Sequence, residues 1–146
     1  MERNPLRHLI LHGEYELTID DKNRFLIPAE IRKKMVPDRD GGAFFLVIGP
    51  DRRPWMYTER FYEQLVSEVP AQMSPGLDRL AYDRRVFGTA EYLEPDKQGR
   101  VLIKEAMRKR TALDREVTLV GVRDHLEIWN RPEWEAERER LFDGQG

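Results

Sequence analysis

Residues 13–35 read GEYELTIDDKNRFLIPAEIRKKM, and residues 88–113 read GTAEYLEPDKQGRVLIKEAMRKRTAL. Laid over one another, the two stretches share a frame of Asp-x-x-x-Arg-apolar-Leu-Ile. Asp20 and Arg24 lie 76 positions before Asp96 and Arg100. The basic runs Arg32-Lys33-Lys34 and Arg108-Lys109-Arg110 keep the same offset. A match of this length does not arise from composition, so the chain is read as one unit written twice. A duplicated basic element suits a repetitive partner, and the obvious repetitive, negatively charged partner is nucleic acid.

Within the first copy, Glu14 to Ile19 alternates polar and apolar, which puts Tyr15, Leu17 and Ile19 on one face of a strand. Phe25-Leu26-Ile27 is a second strand, and Asp20-Asp21-Lys22-Asn23 between them reads as a hairpin turn. Gly99 stands where the first copy has Asn23. Glycine and asparagine most easily accept a positive φ, so both turns are expected to need a left-handed residue just before the arginine. Pro28 opens a helix running to Met35, with Ile31 and Met35 on one face, and its counterpart spans Glu105 to about Leu113. Strands follow at Ala43–Ile48 and Trp55–Tyr57, and again at Val117–Val120 and Leu126–Trp129. Each copy closes with a helix, Glu59–Val69 and Pro132–Phe142.

The expected organisation is an N-terminal arm (1–12), a first copy (13–69), a connection (70–87) and a second copy with a C-terminal helix (88–146). Pro70, Pro75 and Gly76 mark the connection as partly irregular. The fold class is α+β and β-rich. Halves of roughly 70 residues bury little core alone, so the two are expected to pack together.

Composition narrows the function. The net charge of −2 neither announces nor excludes a nucleic-acid partner, because distribution matters more than the sum. Residues 97–115 carry seven Lys or Arg against Glu105 and Asp114. The absence of cysteine excludes disulfides, zinc fingers and thiol catalysis. Near the N-terminus Leu9-Ile10-Leu11 is too short for a signal peptide, and no window approaches a membrane span. A soluble cytoplasmic protein is expected.

The candidate site is a pair of turn tips. Lys22 and Arg24 sit on one, Lys97 and Arg100 on the other. An arginine on a rigid stem loses little entropy on contact, and its planar fork suits a guanine edge or a phosphate. Asp20 and Asp96 are read as orienting groups for the arginines. In the competing reading each Asp–Arg pair merely closes a turn, worth roughly 0–1 kcal/mol; duplication weighs against it. The basic triplets, taken alone, are solvated helix faces, and gain credit as phosphate contacts only beside the tips. His8 and His12 are spaced i, i+4 but lack a third ligand, so neither metal nor cofactor is expected. His125 is read as a surface residue. Trp55, Tyr57, Trp129 and Trp134 recur at matching places, as core packing predicts. No catalytic signature is present, and no enzyme activity is expected.

On GEYELTIDDKNRFLIPAEIR and LEPDKQGRVLIKEAMR, with LVGVRDHLEIW and DRRVFGTAEY, the chain resembles the MraZ family of bacterial transcriptional regulators from about Gly13 to Trp134. The resemblance implies tandem AbrB-like, swapped-hairpin units forming a pseudo-two-fold β-barrel with flanking helices. It also implies a ring-shaped homo-oligomer. Such a ring would bind double-stranded DNA at short G-rich direct repeats upstream of the division and cell-wall gene cluster, in the cytoplasm and associated with the nucleoid. Carried over by residue, the motif positions are Asp20, Lys22 and Arg24, then Asp96, Lys97 and Arg100. Three features depart from the family pattern: Asn23 in place of a glycine, Lys104 in place of a proline, and the long arm. The alternative is an antitoxin-type protein-interaction module acting through the acidic C-terminal helix.

Overall fold

The computed structural model describes residues 8–73 and 75–143. Along them run β1 (Glu14–Thr18), β2 (Arg24–Leu26), α1 (Ala29–Lys34), α2 (Pro37–Asp40), β3 (Phe44–Ile48), β4 (Pro54–Thr58), α3 (Glu59–Ser67) and α4 (Leu77–Phe87). The second half adds β5 (Glu91–Leu93), β6 (Arg100–Leu102), α5 (Glu105–Arg110), β7 (Glu116–Gly121), β8 (Leu126–Asn130) and α6 (Arg131–Phe142). The α+β class read from the sequence holds.

The strands form a six-stranded antiparallel sheet, β1-β7-β8-β4-β3-β5, and a two-stranded ribbon, β2-β6. Exchanging the two copies reverses the sheet order onto itself, which places a pseudo-two-fold between β8 and β4. The sheet has edges at β1 and β5 and does not close, so a barrel describes it only loosely.

β1 and β2 are not hairpin partners, contrary to the reading of the local residues and in keeping with the swapped hairpins that the family resemblance implies. β1 pairs with β7 and β2 with β6, each in the other copy. The turn between them is still tight: Asp20 N–H donates to Arg24 O at 2.8 Å and Asn23 N–H to Asp20 O at 3.0 Å. It acts as a corner, sending one strand into the sheet and the next into the ribbon. Both strands bury apolar side chains in one core, but from different layers.

That core lies between the layers. Alternate residues of the sheet, among them Phe44, Leu46, Met56, Leu119 and Ile128, meet Phe25 and Val101 from the ribbon, Ile27 and Ile103 just after its strands, and Ile31 and Met107 from α1 and α5. Each such side chain removed from water contributes roughly 1.5–3 kcal/mol, so the ribbon is fixed firmly on its inner side. On the opposite face of the sheet, Phe45, Val47, Trp55 and Tyr57 pack against Tyr62 of α3 and Val86 of α4.

Three features go beyond the sequence reading. The connection carries the eleven-residue helix α4 after Gly76. The one-turn α2 is held by buried Asp40, which accepts the Val36 N–H at 2.9 Å and pairs with Arg39 at 2.8 Å. The described part of the arm is packed in: Leu9 and Leu11 are buried, and Leu11 exchanges backbone hydrogen bonds with Arg123 at 2.9 and 2.8 Å. Gly121 permits that approach, since a Cβ there would lie 2.2 Å from the backbone nitrogen of His12. Residues 1–7, the rest of the expected arm, lie outside the described residues.

Candidate nucleic-acid interface

Strand alternation on the ribbon decides what it shows to solvent. Arg24 opposes Leu102, Phe25 opposes Val101, and Leu26 opposes Arg100. Phe25 and Val101 point inward at 3% and 1% exposure, so Arg24, Leu26, Arg100 and Leu102 share the outer face. The two arginines are diagonal neighbours there, on the order of 7–8 Å apart. The sequence placed them on two separate tips; the structure brings them onto one surface.

Each arginine is locked by its aspartate in nearly the same way. Asp20 Oδ1 accepts the backbone N–H groups of Lys22 (2.9 Å) and Arg24 (2.8 Å), and Oδ2 accepts Arg24 Nε–H at 3.0 Å. Asp96 Oδ1 accepts from Gln98 and Arg100, both at 2.9 Å, and Oδ2 accepts Arg100 Nε–H at 2.9 Å. Both carboxyls are held below the usual aspartate value, first by the arginine backbone N–H and further by its side chain. Bonding through Nε fixes the plane of the guanidinium and leaves its Nη edge outward. Both expected left-handed residues are present, Asn23 at φ 62° and Gly99 at φ 89°.

The lysines are not equivalent. By the 76-residue offset Lys22 matches Gln98, and Lys97 matches Asp21. Both lysines are exposed. Gln98 Oε1 accepts from Arg100 Nη2 at 2.6 Å, a role Lys22 cannot play because an ammonium has no acceptor. Among the described residues the Arg24 fork has no such second anchor.

The basic triplets divide. Arg108 Nη1 donates to Asn23 Oδ1 at 2.9 Å, so a helix of the second copy braces the turn of the first. Arg32 lies over Gly99 in return and donates from Nε to Ile27 O at 3.0 Å. Arg115 adds a bond from Nη1 to Asp20 O. Lys33, Lys34, Lys109 and Arg110 remain exposed around the ribbon. Sequence reasoning missed the bracing arginines and Gln98. The crossed pairing that brings Arg32 to Gly99 had no local signal.

Lys104 also finds an explanation. In the first copy Pro28 has no N–H to satisfy; in the second, Lys104 N–H donates to buried Glu91 at 3.0 Å. Burial raises the Glu91 pKa, partly offset by that N–H. α1 and α5 therefore begin at matching residues, Ala29 and Glu105, despite the exchange.

His125 is buried, not on the surface: it stacks on Trp55 with centroids 3.9 Å apart and bonds Asp124 (2.7 Å) and Glu127 (2.8 Å). His8 packs on the Phe61 ring at 4.6 Å. Among the described residues no cluster of His, Asp or Glu could hold a metal, and no helix is long and apolar enough to cross a membrane.

The fold and site define a duplicated α+β protein whose copies complete each other's strands and each deliver one aspartate-locked arginine to a shared ribbon. The family described as "MraZ protein, putative antitoxin-like" matches residues 86–143. The chain is 35% identical to the transcriptional regulator MraZ of Moorella thermoacetica, over 84% of this chain and 82% of that one. It is 34% identical to the transcriptional regulator MraZ of Ligilactobacillus salivarius over 90% of each chain. For the same regulator from Thermomicrobium roseum the identity is 34%, over 88% and 87%. The chain belongs to the MraZ family.

Proposed function

We propose that this chain is a sequence-specific DNA-binding transcriptional regulator, acting as a repressor. One observation carries the reading: Arg24 and Arg100 share the outer face of one two-stranded ribbon, each pinned through Nε. A ribbon of this width fits the major groove, where an arginine fork reads guanine O6 and N7. Leu26 and Leu102, outward between the arginines, meet apolar base edges. Lys22, Lys97 and the exposed lysines of α1 and α5 contact phosphates and fix register.

One ribbon covers only a few base pairs, so affinity comes from several subunits engaging in register. In the same proposal the subunits form a homo-oligomeric ring on tandem G-rich repeats upstream of the division and cell-wall gene cluster, on the nucleoid in the cytoplasm. Residues 13–69 and 88–146 are its two copies, joined by 70–87. The names of the relatives support the regulatory reading. The antitoxin-type alternative draws on the family description and on the exposed end of α6.

Fluorescence anisotropy with the chain's own upstream DNA and a scrambled duplex, across a salt series, tests the proposal. Tight, strongly salt-dependent preference for the native duplex, lost in Arg24→Ala and Arg100→Ala with the assembly mass unchanged, is expected. Equal, weak binding to both duplexes would favour the protein-partner alternative.

A further inference from the structure

Two parts of the layer opposite the ribbon are left unmatched within the subunit. The first is a groove of about 720 Å³ between α3 and α4, over β3 and β4. Its walls are apolar and largely aromatic: Trp55, Tyr57, Tyr62, Leu65, Val69 and Phe87. Tyr62 lies in its floor at 8% exposure. Among the described residues the rim bears Arg79 and Arg85 against one acid, Asp83, which is already paired with Arg79 at 3.3 Å. The groove therefore suits an apolar body carrying an anionic acceptor.

The second is the end of α6. Leu141 and Phe142 are 49% and 81% exposed, and Asp143 follows them. Among the described residues, Arg140 bonds only back to Glu137 of the same helix. An apolar pair followed by a carboxylate is the chemistry the groove lacks. The end of α6 does not lie over its own groove. Trp134 and Arg138 both bond Glu14 on β1, the sheet edge on the far side of β8 from β3 and β4.

We propose that the groove receives the Leu141-Phe142-Asp143 end of α6 from a second copy of this chain. Phe142 and Leu141 fill the aromatic floor, and the Asp143 carboxylate pairs with exposed Arg85 on the rim. The inference rests on the homo-oligomer in the proposed function and names its contact. Groove and plug are different surfaces, so the contact is head-to-tail and propagates until a ring closes. It lies on the opposite face of the sheet from the ribbon, which leaves Arg24 and Arg100 outward in every subunit.

The test measures the mass of the full chain by light scattering, without DNA. Two variants change exposed residues only: Leu141→Ser with Phe142→Ser removes the plug, and Leu65→Glu with Val69→Glu blocks the groove rim. Circular dichroism checks that both stay folded; Phe142→Ala alone and Arg85→Ala serve as milder second versions, each expected to weaken assembly about tenfold. A wild-type multimer, monomeric variants, and a 1:1 mixture that stops at a heterodimer are expected. The mixture joins one intact groove to one intact plug and has nothing left to extend. A monomeric wild type, variants of wild-type mass, or a mixture that yields monomers or full-size multimers would overturn the inference. Anisotropy on the same samples separates the two readings. DNA binding lost in an intact wild-type multimer sinks the regulator, and wild-type mass in the variants sinks only the contact.

Discussion

The Cζ of Arg32 lies 2.6 Å from where a Cβ on Gly99 would sit, and across the pseudo-two-fold Arg108 holds Asn23 at 2.9 Å. Each copy thus grips the turn of the other. The turns carry the Asp–Arg pairs, so the aim of both arginines depends on a contact between the copies and not on either alone.

Gly99→Ala meets two obstacles, a φ of 89° and the Arg32 side chain. Backbone strain of this kind costs about 1–3 kcal/mol. Adding Arg32→Ala should return the part due to collision and leave the part due to φ. A double-mutant cycle from thermal melts checks it; strictly additive losses would show that Arg32 does not press on Gly99.

Asp20 and Asp96 have folded-state pKa values below the ordinary 3.8, set first by the arginine backbone N–H groups. Their stabilisation is present above that ordinary value and fades as pH falls through the lower folded-state values. Asp20→Asn with Asp96→Asn should flatten the acid limb of the stability curve below about pH 3.8. The same pair frees both guanidinium planes, and DNA affinity at neutral pH should fall about tenfold per site, in the range of a lost charge-assisted hydrogen bond. Acid titration by circular dichroism and anisotropy at pH 7 read the two effects separately.

Glu91 contributes differently. Its folded pKa is raised by burial, so the native state holds the proton more tightly than the unfolded chain. Stability from this group declines as pH climbs from about 4.5 through the folded value, then stays level. Glu91→Ala orphans the Lys104 N–H and should cost about 1–3 kcal/mol. Glu91→Gln keeps the acceptor without the charge and should match or exceed wild type at pH 7. Combining Glu91→Ala with Lys104→Pro, the residue at the matching Pro28, should recover most of the loss. Urea unfolding at pH 5 and pH 8 discriminates these outcomes.

Burial pulls the His125 pKa down, but the hydrogen bonds its ring donates to Glu127 and Asp124 outweigh it and leave it above 6.5. Its contribution is therefore complete below pH 6.5 and is lost as pH rises through the higher folded value. Melting temperature should drop across that interval in wild type and much less in His125→Gln. A wild-type profile flat from pH 6 to 8.5 would remove His125 from this role.

Local chemistry was readable from the residues themselves. Asn23 and Gly99 announced their turns, and Tyr15, Leu17 and Ile19 announced a buried face, because backbone preference and periodicity are written in neighbouring positions. Periodicity says which face of β1 is buried, not which strand completes it, so the exchange of strands is legible only in the family resemblance and not in the local residues. α4 was hidden by the prolines and glycine ahead of it. His125 was misjudged because its place depends on Trp55, 70 positions earlier in the chain and brought against it only by the β4–β8 pairing. For the candidate site, the two Asp–Arg turns were legible and their convergence on one ribbon was not.

The exchange of strands has a consequence for the halves themselves. With β1 completed by β7 and β5 by β3, a half cut out at the connection carries strands with no neighbour, and finds one only in another half. A lone half would satisfy those strands by pairing with an identical copy of itself. Covalent tethering releases the members from that identity. Tyr15 with Pro28 now faces Glu91 with Lys104, and Lys22 stands opposite Gln98. An untethered pair would present a symmetric ribbon; the unequal, tethered pair gives the ribbon a direction.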